Sequence, residues 1–349
     1  MDLLKEKQMK QDVPDPVVRP FSRAGLVSVI VPVFNEEEVL HAFHQRLCGV
    51  LSSVRKVQWE ILYVNDGSTD RTLNQILGFM AEDPRVQVVD FSRNFGKEAA
   101  VTAGIDHANG DAAIFIDADL QDPPELIPVL VGHWQNGYDV VNMKRDSRAG
   151  ESWVKRRTAQ AFYSIMGHLG PVTMPENVGD FRLLSRRALD ALGRMPERNR
   201  MMKGMFAWIG FAVKEVPFHR DARDAGTTKW NYLRLWNLAM EGITSFTVAP
   251  LKAASVAGIL ISLAAFLYGA VVIAKTLVWG DPVPGYPSLM VAVLFLGGLQ
   301  LLSIGIVGEY LGRVFLETKN RPLYLVKQHH VAAKANVALP RISSRRSLP

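Results

Sequence analysis

VSVIVPVFNEEEVL, from Val27 to Leu40, begins as a β-rich apolar run and turns polar at Asn35. Beyond it, Val39, Phe43, Leu47, Val50 and Val54 recur at helical spacing, and Asn35 with Glu38 three residues later resembles a capping box. A strand handing over to a helix is expected there. The rhythm continues outward, with β-rich runs at Glu60 to Asn65, Val86 to Ser92, Ala112 to Asp117 and Tyr138 to Lys144, separated by helical patterns. From Val27 to Arg145 the chain therefore reads as βαβ units on a largely parallel sheet, an α/β domain. Before the fifth run, Asp122 and Glu125 repeat the cap signature, Pro123 and Pro124 suit a first helical turn, and Gly137 suits the exit.

The full length of 349 residues accommodates such a domain and something smaller. The net charge of +6 is spread along the chain, which argues against a dedicated nucleic-acid binder and fits a protein at a membrane surface. Residues through Val18 are polar and interrupted by Pro14 and Pro16, with no apolar run to serve as a cleaved signal, so the soluble domain is expected in the cytoplasm. The single cysteine, Cys48, has no partner for an internal disulfide and reads as a core thiol. His41 and His44 stand one helical turn apart without a third zinc ligand and read as a polar helix face.

Near Pro250 the composition switches from mixed patterning to two long apolar runs. Ala253 to Ala274 carries no charge, and neither does Leu289 to Gly308; each is about the ~20 residues that a membrane-spanning helix needs. Buried core helices are the alternative, which the length and lack of charge disfavour. The loop from Asp281 to Ser288 is short and proline-rich. Lys252 at one end and Arg313, Lys319, Arg321 and Lys327 at the other outnumber Lys275 on the loop side, so the positive-inside rule puts both ends in the cytoplasm. The expected parts are an extension over 1–26, the α/β domain over 27–229, juxtamembrane helices over 230–251, a transmembrane hairpin over 252–316 and a cytoplasmic tail over 317–349.

Ligands of open parallel sheets bind beyond the carboxyl ends of the strands. Here the first strand leads into Asn35 to Glu38, the second into Asp66 to Asp70, and the fourth into Asp117, Ala118, Asp119, Leu120 and Gln121. Acids thus collect on one rim. Asp117 and Asp119, two apart, would point the same way in an extended strand end and could share one ion. Such oxygen ligands favour Mg²⁺ or Mn²⁺, and Mg²⁺ typically binds a substrate's phosphates as well, which suggests a diphosphate ligand. An Asp-x-Asp alone is a weak signal. No Gly-x-Gly-x-x-Gly and no P-loop sequence is present, which removes the main support for dinucleotide and P-loop readings.

VSVIVPVFNEEEVL, YVNDGSTD from Tyr63, FSRNFGKEAA from Phe91 and DADLQDPPE from Asp117 together resemble family 2 glycosyltransferases of the GT-A fold. The resemblance runs from about Val27 to Leu325. It is strongest to the polyprenyl-phosphate glycosyltransferases, a group that includes dolichol-phosphate mannose synthase and the bactoprenol glucosyltransferases, and the hairpin favours the latter. It implies that Pro32, Glu36 and Asp66 hold the nucleoside and that Asp117, Asp119 and Gln121 surround the metal and diphosphate, with Asp119 the direct ligand. It implies that Arg223, Gly226 and Lys229 close over the donor phosphates, although Thr228 stands where many relatives have serine. Asp180, in GDFRLLSRR, matches a position near the transferred sugar, with a helix start as the alternative. Arg145, Arg156 and Arg157 are expected on the acceptor phosphate, as guanidinium groups suit bidentate phosphate contacts; a solvated basic face near anionic lipid is the other reading for Lys155 to Arg157.

The implied reaction moves a hexose from a nucleotide-sugar donor to a polyprenyl phosphate acceptor at the inner membrane, with inversion. Glucose from UDP-glucose is the first expectation, and GDP-mannose or a UDP-aminosugar the alternatives. Membrane lipid is an expected partner, a homo-oligomer stays open, and no nucleic acid is expected. A processive polysaccharide synthase would need more spans and a Gln-x-x-Arg-Trp motif that this chain lacks. An inactive membrane scaffold is the non-enzyme rival, against which intact Asp117, Asp119 and Gln121 argue.

Overall fold

The computed structural model of the chain describes residues 25–55, 57–145, 178–198, 200–218, 247–279 and 285–331. The apolar run becomes β1 (Leu26–Val33), buried along nearly its whole length because both faces are covered. It is followed by α1 (Leu40–Ser53), β2 (Gln58–Asn65), α2 (Thr72–Glu82), β3 (Val86–Phe91), α3 (Lys97–His107) and β4 (Ala112–Phe115). A 3₁₀ turn (Pro124–Leu126) then leads into α4 (Ile127–Gln135) and β5 (Val140–Arg145). Beyond these lie β6 (Val178–Ser185), α5 (Arg186–Gly193), α6 (Met202–Trp208) and β7 (Val213–Phe218). Two long helices, α7 (Ala249–Trp279) and α8 (Tyr286–Thr318), precede a last strand, β8 (Val326–Val331).

Among the described residues, eight strands form one sheet in the order β7-β5-β6-β4-β1-β2-β3-β8. β4, β1, β2 and β3 run parallel, β6 lies antiparallel between β4 and β5, and β8 closes the far edge antiparallel to β3. The strand period of two divides the core: Val27, Val29 and Val31 face α1, α2 and α4, whereas Ile30 faces α3. On that second face α3 packs so tightly that a Cβ on Gly104 would stand 2.3 Å from Ile30 Cγ2. Pro32 interrupts nothing, because the ladder to β4 ends at Ile116 N–H on the Ile30 carbonyl and the missing N–H falls beyond it.

The five expected strands are present within two residues, and β6, β7 and β8 were not foreseen. The capping-box reading at Asn35 is overturned. α1 begins at Leu40 without a side-chain cap, and Asn35 takes a left-handed backbone (φ 54°) and turns its side chain to the next loop. Glu125 likewise caps no helix and instead binds the Arg46 guanidinium through both oxygens, at 2.6 and 2.8 Å. Gly137 does mark the exit of α4, with φ 94° and its N–H on the Trp134 carbonyl. His44 is not on a polar face: it is buried, stacked on Phe79 at 3.9 Å, and its Nδ1 lies 2.9 Å from the Tyr63 hydroxyl. Burial pushes its pKa down.

Within the hairpin, Pro250–Val272 and Val291–Thr318 each have a mean hydropathy of 2.2, and neither span is covered by the other described residues. Tyr310 in α8 donates its hydroxyl to the Thr247 carbonyl at 2.7 Å, which ties the second helix to the entrance of the first. The strand β8 lies within the segment that the sequence reading gave to a cytoplasmic tail.

Candidate active site

The turn after β1 and the turn after β2 are laced together by backbone and side chain. Asn35 N–H donates to Ser68 Oγ (3.0 Å) and Glu36 N–H to Thr72 Oγ1 (2.9 Å). In return, Thr69 N–H donates to Asn35 Oδ1 and Arg71 N–H to Glu37 Oε2, each at 2.9 Å. The acids of this rim therefore begin as loop fasteners. Asp66 is buried, and both its oxygens accept backbone N–H groups of the next crossover, from Phe95 at 2.6 Å and Gly96 at 2.9 Å. Burial raises its pKa against those hydrogen bonds. Gly67 (φ 67°) leaves no slack, since a Cβ there would meet the Arg93 carbonyl carbon at 2.3 Å.

The residue after this crossover loop is Lys97, the first of α3. Its ammonium bridges two carboxylates, 2.7 Å from Asp117 Oδ2 and 2.5 Å from Asp180 Oδ2. Strand register explains the meeting. β4 pairs antiparallel with β6 through Phe115 opposite Arg182, so two residues further along Asp117 stands opposite Asp180. Asp180 thus lies in a strand and not at a helix start. Burial alone would raise its pKa, but Lys97 and Lys203 outweigh it and hold the carboxyl down to about 2. By linkage, the stability that Asp180 contributes is complete above the ordinary carboxylate range and is lost as pH falls toward that value. Asp117, more deeply enclosed, is pushed up by burial although Lys97 opposes the shift.

Around this pair gathers a basic cluster, of which Arg145 alone was expected. Arg182 is fully buried, its guanidinium 4.1 Å from the centre of the Phe206 ring and its Nη2 donating to the Gly179 carbonyl at 2.5 Å. That burial lowers its pKa to about 10. Lys203, in α6, is pushed down by burial and faces Asp180, Arg182, Arg145 and Lys97. Arg145 lies against Gly179, where a Cβ would be 3.0 Å from its Nη2. Of the expected acceptor-binding arginines, Arg145 is therefore brought to the site, whereas Arg156 and Arg157 lie outside the described residues, as do Arg223, Gly226 and Lys229 of the donor-closing segment.

The extended geometry expected of Asp117 and Asp119 is not found. β4 stops at Phe115, Leu120 takes a left-handed backbone (φ 61°), and Asp119 Oδ1 accepts the Gln121 N–H at 3.1 Å across that turn. Asp117 serves the ammonium, and Asp119 sits on the turn beside Gln121, near enough for its charge to add to the upward push on Asp117. Among the described residues no three His, Cys, Asp or Glu side chains are grouped to hold a metal. A carboxylate and an amide oxygen on one turn nevertheless fit a hard divalent ion that takes its remaining ligands from a substrate's phosphates and water. Lys97 and Lys203 were missed by sequence reasoning. Lys97 stood within a quoted motif, but a lysine at a helix start gives no hint of the strand that will face it.

Residues 28–193 match Glycosyl transferase family 2, and residues 249–314 match the GtrB C-terminal hairpin. An uncharacterised glycosyltransferase of Synechocystis sp. is 51% identical over 300 residues, covering 86% of this chain and 94% of that one. The chain belongs to glycosyltransferase family 2. Other members of the family include the prophage-derived bactoprenol glucosyl transferase of Shigella flexneri, 47% identical over 87% of this chain and 98% of the relative. The Shigella phage SfV bactoprenol glucosyl transferase is also 47% identical, over 86% and 98%. Among solved structures, a Pyrobaculum calidifontis mannosyltransferase in complex with GDP-Man and Mn²⁺ aligns with a TM-score of 0.48 at 17% identity, over 91% of this chain and 94% of that one. Glucosyl-3-phosphoglycerate synthase of Mycobacterium tuberculosis aligns at 0.42 and 19%, over 62% and 76%. The family assignment rests on the sequence matches. This glycosyltransferase has a GT-A-type sheet with two apolar helices appended as a hairpin for membrane association.

Proposed function

We propose that this glycosyltransferase moves glucose from UDP-glucose to a polyprenyl phosphate, with inversion, at the cytoplasmic face of a membrane. The observation that carries the reading is the match to bactoprenol glucosyl transferases over nearly their whole length, hairpin included. The geometry supports it. The acceptor phosphate needs little help from a base, since its second pKa lies near ~6 and it is mostly ionised at neutral pH. Asp180 is correspondingly too weak a base to take that proton: beside Lys97 its pKa is held down to about 2. Lys97 fixes both carboxylates beside the path of the sugar, and Arg145 with Lys203 gives a partly desolvated positive field for an incoming phosphate.

Asp119 and Gln121, with Asp117 adjoining, would hold Mg²⁺ or Mn²⁺; such an ion supplies Lewis-acid stabilisation of a leaving diphosphate. Pro32, Glu36 and Asp66 are assigned to the nucleoside side, Arg223 and Lys229 to the donor phosphates, and Arg156 and Arg157 with Arg145 to the acceptor. Both ends of the hairpin are assigned to the cytoplasm. The cationic flanks favour that orientation, and so does β8, because the chain leaves α8 and rejoins the catalytic sheet within a few residues.

The test is to supply membranes containing the protein and undecaprenyl phosphate with radiolabelled UDP-glucose, GDP-mannose or a UDP-aminosugar in turn. Label extracted with lipid from UDP-glucose is the expected result. Label from another donor alone would reassign the sugar, and no lipid label from any would return the chain to a scaffold.

A further inference from the structure

We propose that the strand returning from the membrane hairpin is a strap that sets the crossover loop Ser92–Gly96, with Tyr324 as its positioning residue, so that donor binding depends on a side chain beyond the anchor. β8 pairs with β3 from Gln87 opposite Val331 to Phe91 opposite Val326, and the pairing is extended by the Ser92 N–H on the Leu325 carbonyl at 3.0 Å. That last bond is made by the first residue of the loop.

Tyr324 touches both sides of the loop. Its ring stacks on Phe91, with centroids 5.0 Å apart and planes 14° from parallel, and Phe91 meets Phe95 edge-on at 5.7 Å. Its hydroxyl donates to Asp106 Oδ2 at 2.8 Å, on the helix that starts at Lys97. The strand entering the loop and the helix leaving it are thus held by one side chain. A second line runs beside it: Lys327 lies 3.6 Å from Asp90, Asp90 accepts from Asn65 Nδ2 at 2.7 Å, and Asn65 Oδ1 accepts the Ser68 N–H at 3.3 Å.

What the loop carries gives the strap its consequence. The Phe95 and Gly96 N–H groups are the two donors on Asp66, Arg93 is pressed against Gly67, and Lys97 follows directly. These contacts leave little room for the loop to shift without moving Asp66 or Lys97. The membrane side is anchored too, because Glu317 near the end of α8 accepts the Arg198 N–H at 2.8 Å. A partly buried ring stack with a hydrogen bond at its tip is a directional contact and not mere cover.

The inference rests on the reading of Asp66 as part of the donor side. Its test uses the full-length enzyme in lipid nanodiscs, with the Kd for UDP and the KM for UDP-glucose and for polyprenyl phosphate measured in Tyr324→Ala, Tyr324→Phe and Asp66→Ala. Tyr324→Ala is expected to raise the UDP Kd and the donor KM about tenfold while the acceptor KM stays put, and Tyr324→Phe, which keeps the stack, to stay within about threefold. Tyr324→Leu gives the same readout should the alanine variant fail to fold. A lowered melting temperature with unchanged UDP Kd and donor KM would overturn the proposal, and so would an equal rise in the two KM values. Asp66→Ala separates the two ideas: if it leaves UDP binding unchanged, the donor-site reading fails by itself, and if it weakens binding while Tyr324→Ala does not, only the strap fails.

Discussion

Two acidic sites sit at opposite ends of the one sheet. At the amino ends, Glu60 is buried and surrounded by neutral donors: Ser28 Oγ, Gln87 Nε2 at 2.7 Å, and Asn109 through its backbone N–H at 3.0 Å and Nδ2 at 2.8 Å. At the other end, where β4 finishes and the antiparallel β6 begins, Asp117 and Asp180 share the Lys97 ammonium, and their side chains remain 23% and 32% exposed. The first cluster is closed, and every donor is spent on joining β1, β2 and β3 to the turn before β4. The second is charged, open to solvent and ringed by further cations. A buried acid satisfied by neutral groups serves the fold, whereas acids held in place by a mobile type of cation at a strand's carboxyl end serve a ligand.

The sharpest way to break that contrast is Lys97→Met. If the ammonium organises the transfer site, the variant should lose about a hundredfold or more in kcat, about 2.7 kcal/mol, while its melting temperature moves little because the bridge is half exposed. A large loss of stability with normal turnover per folded molecule would make Lys97 another structural tie. Gly67→Ala should act next most strongly. A left-handed backbone strained by about 1–2 kcal/mol and a Cβ driven into Arg93 should push the Ser92–Gly96 loop off Asp66, which isothermal titration would read as UDP binding weakened about tenfold.

The smallest effect concerns pH. Because Asp180 is held at about 2, it is ionised throughout the working range and gives the rate profile no limb. Turnover at limiting acceptor should instead fall as pH drops through ~6, where the acceptor phosphate takes up its second proton. The sign follows from the dianion being the nucleophile. A limb that persists unchanged with an acceptor of shifted phosphate pKa would assign it to the protein.

The contrast also marks how far the sequence could be read. β1 to β5 were legible because buried strands in a parallel sheet are continuous β-branched runs such as VSVIVPV. β8 was not, as VKQHHV is an exposed edge strand whose sequence carries no apolar period and which reaches β3 only after two membrane-length helices. β6 was masked by Arg182, a charge that sequence reasoning places outside and the fold buries over Phe206. The rim of acids was legible from the strand ends, but its internal pairing was not. Asp117 meets Asp180 through an antiparallel register between distant segments, and Lys97 enters from a third. The Asp117-to-Gln121 motif was rightly placed and wrongly shaped, since the turn at Leu120 depends on where β4 ends.

One paired measurement bears most directly on the claim that the carboxyl-end rim is the transfer site: the initial rate of lipid labelling from UDP-glucose and the melting temperature, each taken for Asp119→Asn and for Glu60→Gln. The expected result is a crossing. Asp119→Asn should abolish labelling at an unchanged melting temperature, whereas Glu60→Gln should keep its rate per folded molecule and lose about 1–3 kcal/mol of stability, because an amide cannot accept from all four donors. Labelling by Asp119→Asn at the wild-type rate would contradict the account.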